Sequence, residues 1–252
     1  MTGDRTRVDP HVKVLDEQVV SHAIDAGLDV LVYAPHFTHI DDARERAARF
    51  STDELLVVPG REYFTGHWSN RTHVLAVDPE EPLPDFLPLH STMTELRDRN
   101  ATVIAPHPEF LTVSLSGAEI AAYDDVIDAV EVRNPKLWPW DRRRARAIAA
   151  DVDLPTVASS YAHLPGTIGA AWVEFERSID SAAELRAAIE EGPSSIGHRT
   201  GARAWGRRRL EFAHLGWENS VKKADRILLG GREDTHPEND RYDDHYRKLS
   251  VY

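Results

Sequence analysis

Short apolar runs alternate with amphipathic stretches along most of this chain, and that alternation restricts its fold more than any other feature. Val8–Val14, Leu28–Ala34, Leu55–Val58, His73–Val77, Thr102–Ala105, Ala129–Val132 and Thr156–Ser159 have the length and β-branched content of strands. Leu15–Ala26, Asp41–Phe50, Thr92–Arg99, Ser116–Tyr123 and Trp140–Ala150 carry helical periodicity between them, and Gly27 follows the first as its C′ residue. Strands that alternate with helices predict a parallel sheet wound right-handedly, either closed as a barrel or doubly wound. Pro59–Thr72 and Asp78–His90 break the rhythm and read as irregular loops. After Ser160 the character changes. Ala170–Phe175 is one more strand, Ser181–Glu191 a helix, and Ala202 to Leu229 a second helical stretch. From Gly230 onward the chain is polar and charged and reads as extended.

Composition narrows the classes of function. The 252 residues carry 42 acidic and 30 basic side chains, a formal charge of −12. Lysine is confined to Lys13, Lys136, Lys222, Lys223 and Lys248, the other cations being arginine. An acidic surface of this kind suits a salt-rich cytosol, since at about 1 M salt the Debye length falls to about 3 Å and self-repulsion is screened. The expectation is a halophilic, haloarchaeal chain. The absence of cysteine excludes disulfides, thiolate zinc sites and a thiol nucleophile. No apolar run approaches the roughly 20 residues that span a bilayer. The opening MTGDRTR is not a signal peptide, so the expectation is a cytoplasmic protein without a membrane partner.

Metal-type side chains fall at corresponding places on that map. His11 is in the first strand, His36 follows the second, Glu62 the third and His107 the fifth. Glu131 ends the sixth, His163 lies just past the seventh, and His73 stands at the fourth. In a parallel barrel the strand ends share one face, where side chains from distant positions converge. Imidazole and carboxylate together suit zinc, manganese or iron(II). His39 and His67 have only their position near the mouth in their favour. His22, His90, His198, His214, His236 and His245 read as surface or packing residues.

The same residues, in order, resemble the PHP (polymerase and histidinol phosphatase) domain family over positions 8 to about 190. The family opens with Asp-x-His-x-His, matched by Asp9-Pro10-His11-Val12-Lys13. Ala34-Pro35-His36 stands where its members have Thr-Asp-His, and Gly60-Arg61-Glu62 matches its Gly-x-Glu. His73-Val74-Leu75, His107-Pro108 and Glu131 to Asn134 match three further motifs. The closing Gly-Ser-Asp-x-His is here Ser159-Ser160-Tyr161-Ala162-His163, and the following IGAAWVEFERSIDSAAELRAAIEEG is similar to PHP-associated C-terminal regions. The resemblance implies a distorted (βα)7 barrel over residues 1–191, followed by a C-terminal helical extension and polar tail over 192–252. It further implies a metal-dependent phosphoesterase acting on a small phosphorylated substrate.

Two departures alter the implied metal site. Lys13 replaces a His ligand and Tyr161 an Asp ligand, and in the family both share one metal with His11 and Glu62. A protonated ammonium has no lone pair and cannot coordinate. It can salt-bridge Glu62, or contact a substrate phosphate as a point charge. Glu62, His73 and His107 remain as a whole ligand set, and His36 with His163 as part of another. The expected metal residues are therefore His11, His36, Glu62, His73, His107 and His163, holding one or two ions of zinc, manganese or iron. The expected catalytic residues are Lys13, His36 and His163. The alternative is a degenerate PHP domain that binds a nucleotide, nucleic acid or protein. Arg142–Arg144 and Arg146 beside Trp138 and Trp140, and Arg203 with Arg207–Arg209 beside Trp205, are the basic stretches that suit nucleic acid.

Overall fold

The computed structural model describes residues 5–67, 70–111, 113–202, 206–207, 209–214, 216 and 233–251. Nine strands form one sheet that is nearly closed as a barrel: β1 (Thr6–Val12), β2 (Val30–Tyr33), β3 (Leu56–Thr65), β4 (Thr72–Val77), β5 (Thr102–Ala105), β6 (Ala129–Arg133), β7 (Thr156–Ala158), β8 (Ala171–Phe175) and β9 (Ser195–His198). Their order is β7-β6-β5-β4-β3-β2-β1-β8-β9. Just past β7, Ala162 pairs with Val12 in a parallel bridge and accepts a 2.8 Å bond from the Lys13 amide, which draws the first strand against the seventh.

The helices are α1 (Glu17–Ala26), α2 (Ile40–Phe50), α3 (Leu89–Asp98), α4 (Gly117–Ala122), α5 (Pro139–Asp151), α6 (Ala182–Glu191) and α7 (Asp244–Leu249). Asp16 caps α1 through a bond from the Val19 amide, and Gly27 ends it at φ 72°, the left-handed conformation that favours glycine. Three apolar clusters share the core. Val8, Val30, Val32, Val58, Leu75, Ile104, Ala129 and Val157 pack together on the barrel side of their strands. Helices α1 and α2 cover β1–β3 on one flank, and α3–α5 cover β4–β6 on another.

Three sequence expectations change here. The sheet is mixed rather than wholly parallel: β4 runs antiparallel to both β3 and β5, and β8 antiparallel to β1 and β9. The segment expected to be a loop from Pro59 is largely strand, because β3 continues to Thr65 in register with β4. Gly60 makes this possible, since a Cβ there would meet Val32 at 2.8 Å and the Ala76 carbonyl at 3.0 Å. The tail expected to be extended instead contains α7, with Tyr242 and Tyr246 buried against the α3–α5 flank. Most of the helical stretch expected from Ala202 to Leu229 lies outside the described residues.

Candidate functional site

Alternation along the strands carries apolar side chains deep into the barrel and polar ones to its mouth. On β3, Val58, Gly60 and Glu62 share a face, with apolar Val58 below and the carboxylate above. On β4 the direction is reversed, so His73, at the beginning of that strand, reaches the same level; Phe64 pairs with His73 and Glu62 with Leu75. A register shift in β1 between Asp9 and Val12 accompanies the placement of His11. His107, beyond β5, has φ 35°, an uncommon backbone state for a residue with a side chain. Behind Glu62, Arg61 faces outward and is anchored by Asp85 at 2.9 Å. Asp85 also accepts from the Phe64 amide and the Thr235 hydroxyl. The far side of β3 is thereby clamped.

The imidazoles of His11, His36, His73 and His107 and the Lys13 ammonium converge on one carboxylate. Glu62 Oε1 has His107 Nε2 at 3.0 Å, His73 Nδ1 at 3.3 Å and His11 Nε2 at 3.4 Å. Its other oxygen has Lys13 Nζ at 2.6 Å and His36 Nε2 at 3.1 Å. Burial alone would raise the Glu62 pKa, but the Lys13 ammonium, with the imidazoles around it, outweighs burial and holds the carboxyl well below its usual range. Burial drives His73 down to about 4 and His36 well below its usual value, so both rings are neutral at pH 7.

The donor set fits a metal ion, and His107 shows why. Ser114 donates its hydroxyl hydrogen to the Phe110 carbonyl at 2.8 Å, so it accepts from His107 Nδ1 at 2.9 Å. That puts a hydrogen on Nδ1 and leaves Nε2 facing Glu62 Oε1 at 3.0 Å, the arrangement of a metal-ligating ring whose other nitrogen is held by a hydrogen bond. Glu62, His73 and His107 each offer one ligand atom within 4.8 Å of the others. His73 Nε2 and both ring nitrogens of His11 make no hydrogen bond. Glu131 backs the arrangement by accepting from the His107 amide at 2.9 Å, Asn134 Nδ2 at 2.9 Å and the Ser159 hydroxyl. Burial opposes ionisation of Glu131, but its contacts to His11, His107 and Ser159 bring it down to about 2.

Two lysines flank this centre. Lys13 also donates to the Ala34 carbonyl at 2.6 Å, which leaves one ammonium hydrogen uncommitted. Lys136 was not anticipated from sequence. It is buried, donates to the Tyr161 carbonyl at 2.5 Å, and lies 2.8 Å from His163 Nδ1 and 3.7 Å from the centre of the Tyr161 ring. Glu211, equally unanticipated, comes from the C-terminal segment to lie 3.6 Å from Lys136 and accept from the His163 amide at 2.6 Å. Burial lowers both lysines to about 8, against the opposing charges of Glu62 and Glu211 respectively. His163 therefore joins the cluster, with its Nδ1 facing an ammonium rather than Glu62. Its pKa is pushed well below the usual value by burial and by Lys136 and Lys13.

Asp9, the first residue of the opening motif, points away from the ion-like centre. It accepts from the Ser160 amide at 2.8 Å and the Gly169 amide at 3.2 Å, and burial raises it to about 7. It ties β1 to the chain after β7. His39 caps α2, and His236 is buried packing against Phe86. Arg142–Arg144 and Arg146 lie on α5 beside the stacked, exposed Trp138 and Trp140. Arg203, Trp205 and Arg208 lie outside the described residues.

With the geometry in place, comparison with known proteins gives it a class. Residues 139–193 match the family model described as PHP-associated. No curated protein matches the chain. Among solved structures, PsfC from Pseudomonas syringae aligns with TM-score 0.61 at 18% identity, covering 86% of this chain and 99% of that one. A two-domain protein from Bacteroides vulgatus, containing a predicted PHP-like metal-dependent phosphoesterase, aligns with TM-score 0.59 at 16% identity over 83% and 71% of the two chains. The lesion-specific endonuclease PfuEndoQ from Pyrococcus furiosus aligns with TM-score 0.58 at 14% identity, covering 78% of this chain and 60% of that one. Similarity at this level establishes the fold, a PHP-type barrel. The family match and the fold together support the PHP family. Among the described residues no helix is long and apolar enough to cross a membrane.

Proposed function

We propose that this chain hydrolyses phosphate esters with the help of a single transition-metal ion. The observation that carries this reading is the convergence of His107 Nε2, His73 Nδ1 and His11 Nε2 on one oxygen of Glu62. Glu62, His73 and His107 would hold the ion, with His11 beside them. The ion would polarise a phosphoryl oxygen and lower the pKa of a bound water toward about 7. Lys13 occupies a position that the family gives to a metal ligand, and its ammonium neutralises the Glu62 oxygen left over. Its uncommitted hydrogen is available to a substrate phosphate. His36, with its side chain 23% exposed, is the ring most open to an incoming ester. His163 Nδ1 is engaged by the Lys136 ammonium at 2.8 Å and the Tyr161 carbonyl at 3.1 Å, so Nε2 is the ring nitrogen left for the substrate. Residues 1–191 then form the metal-binding unit, and 192–252 an extension that contributes Glu211.

The contact between Lys13 and Glu62 also favours a second reading, a PHP domain that has lost turnover and keeps a binding role. One experiment separates the two. A panel of phosphate mono- and diesters is assayed with Zn²⁺, Mn²⁺ or Mg²⁺. Wild type should turn over at least one ester, and Lys13→Ala should raise KM about tenfold with little loss of kcat, the sign of a lost charged hydrogen bond to substrate. Turnover indifferent to Lys13→Ala would remove the role given to this lysine. An inactive wild type would leave the binding reading.

A further inference from the structure

A cavity of about 220 Å³ opens between the β6–α5 connection and the strands β8 and β9. Arg133, Asn134, Arg142, His198, Arg199 and Thr200 line it. Among the described residues, Arg133, Arg142 and Arg199 have no acidic partner, although the chain as a whole carries twelve more negative than positive groups (42 against 30). Several other arginines are paired, as Arg61 is with Asp85, Arg97 with Asp125 and Arg99 with Glu95. Arg133 and Arg142 are only partly exposed, so their mutual repulsion is not fully screened by water. Burial, followed by the charges of Arg142 and Arg146, depresses the Arg133 pKa, and His198 is lowered by burial and by Arg133 and Arg142. A fold that gathers unpaired guanidinium groups around a cavity carries a cost that a bound anion would relieve.

We infer that this cavity binds a phosphoryl group. Guanidinium groups present planar forks of donors that match phosphate oxygens, and the Thr200 hydroxyl and Asn134 are further polar groups in the wall. The volume is below the roughly 300–1,000 Å³ of common small-molecule pockets, so it takes an anionic head while the rest of the ligand remains outside. The candidate metal centre is near in sequence and structure. Arg133 follows Glu131 on β6, and Asn134 donates to Glu131 at 2.9 Å. One helical turn from Arg142, whose amide bonds the Trp138 carbonyl at 3.1 Å, the exposed rings of Trp138 and Trp140 stack 5.3 Å apart. A phosphoryl group reaching this cavity has two sources: a free phosphorylated small molecule, or a single nucleic-acid strand whose bases stack on the tryptophans. The inference does not depend on the metal or on catalysis.

Calorimetric titration at low salt tests it, with pyrophosphate and with 5′-phosphorylated oligothymidylate as probes. Both should bind chelator-treated wild type, and Arg133→Gln with Arg142→Gln should weaken pyrophosphate about tenfold or more. Arg97→Gln, at an arginine paired with Asp125 and outside both the cavity and the barrel mouth, should leave that affinity unchanged. Trp138→Ala with Trp140→Ala separates the sources: weakening of the oligonucleotide alone assigns a strand, and no effect on either probe assigns a free phosphoryl compound. In anion-free buffer the double arginine variant should melt above wild type, since it removes unpaired like charges. Retained pyrophosphate binding in that variant, loss of binding in Arg97→Gln, or a lower melting temperature of the arginine variant would each overturn the inference.

Discussion

Lys13 and Glu62 meet ammonium to carboxylate at 2.6 Å, inside a ring of imidazoles contributed by His11, His36, His73 and His107. The pair is almost wholly shielded from solvent, with side-chain exposures of 4% and 0%. A lone buried carboxylate would be expensive to keep ionised, and a lone buried ammonium equally so. Each therefore compensates the charge of the other. The other oxygen of Glu62 stays directed at His73 and His107.

The second lysine gives a stability prediction. Glu211 compensates buried Lys136 and caps the His163 amide, so Glu211→Ala should destabilise the chain by about 3 kcal/mol, as expected when one partner of a buried ion pair is removed. Lys136→Met combined with Glu211→Leu should cost less than the two single changes added together. Urea unfolding of the four proteins in the cycle measures this. Strict additivity would show that the two side chains do not act as a pair.

A pH prediction comes from Asp128, away from the metal-like cluster. Burial raises its pKa from 3.8 to about 6, against the pull of the Val103 amide that it accepts at 2.7 Å. The folded state therefore binds the proton more tightly than the unfolded state. Its contribution to stability is full below pH 3.8 and is lost as pH rises through about 6. Asp128→Asn keeps an oxygen for the amide and carries no charge. Its melting temperature should exceed that of wild type above pH 6, and the two curves should converge toward pH 4. A constant gap across that range would contradict the assignment.

Much of this architecture was legible in the sequence, for reasons that differ by residue. Thr102–Ala105 stands as expected because a fully buried strand is a continuous apolar run bounded by polar chain. Glu62, His73 and His107 could be named with His11, His36, Glu131 and His163 because strand ends are where a barrel gathers its polar side chains, and the three were singled out by the resemblance to the PHP family. The extension of β3 to Thr65 was hidden by Pro59, Gly60 and the adjacent charged residues Arg61 and Glu62, which mimic a turn. Only pairing with β4 shows that Arg61 faces Asp85 while Glu62 faces the site. Lys136 lies in a short polar connection, and Glu211 in a stretch dominated by arginine. Neither belongs to a periodic pattern, and only tertiary closure brings them to His163. Burial of the C-terminal segment rests on Tyr242 and Tyr246, too sparse an apolar signal to read without the partner surface.

The acidic surface predicts a salt response. With a charge of −12, the melting temperature should rise from low salt to about 1 M KCl as self-repulsion is screened over a Debye length of about 3 Å. Differential scanning fluorimetry across a KCl series reads it directly. A flat or falling curve would place this chain among ordinary acidic proteins.

Metal content tests the central claim most directly. Wild type purified without chelator, and passed through elemental analysis after exposure to Zn²⁺ or Mn²⁺, should carry about one transition ion per chain, as a Glu/His/His set allows. His107→Ala should carry almost none, because it removes the nitrogen that Ser114 orients toward Glu62. Wild type that arrives without an ion and retains none from either salt would contradict the account, and so would His107→Ala holding the same ion as wild type.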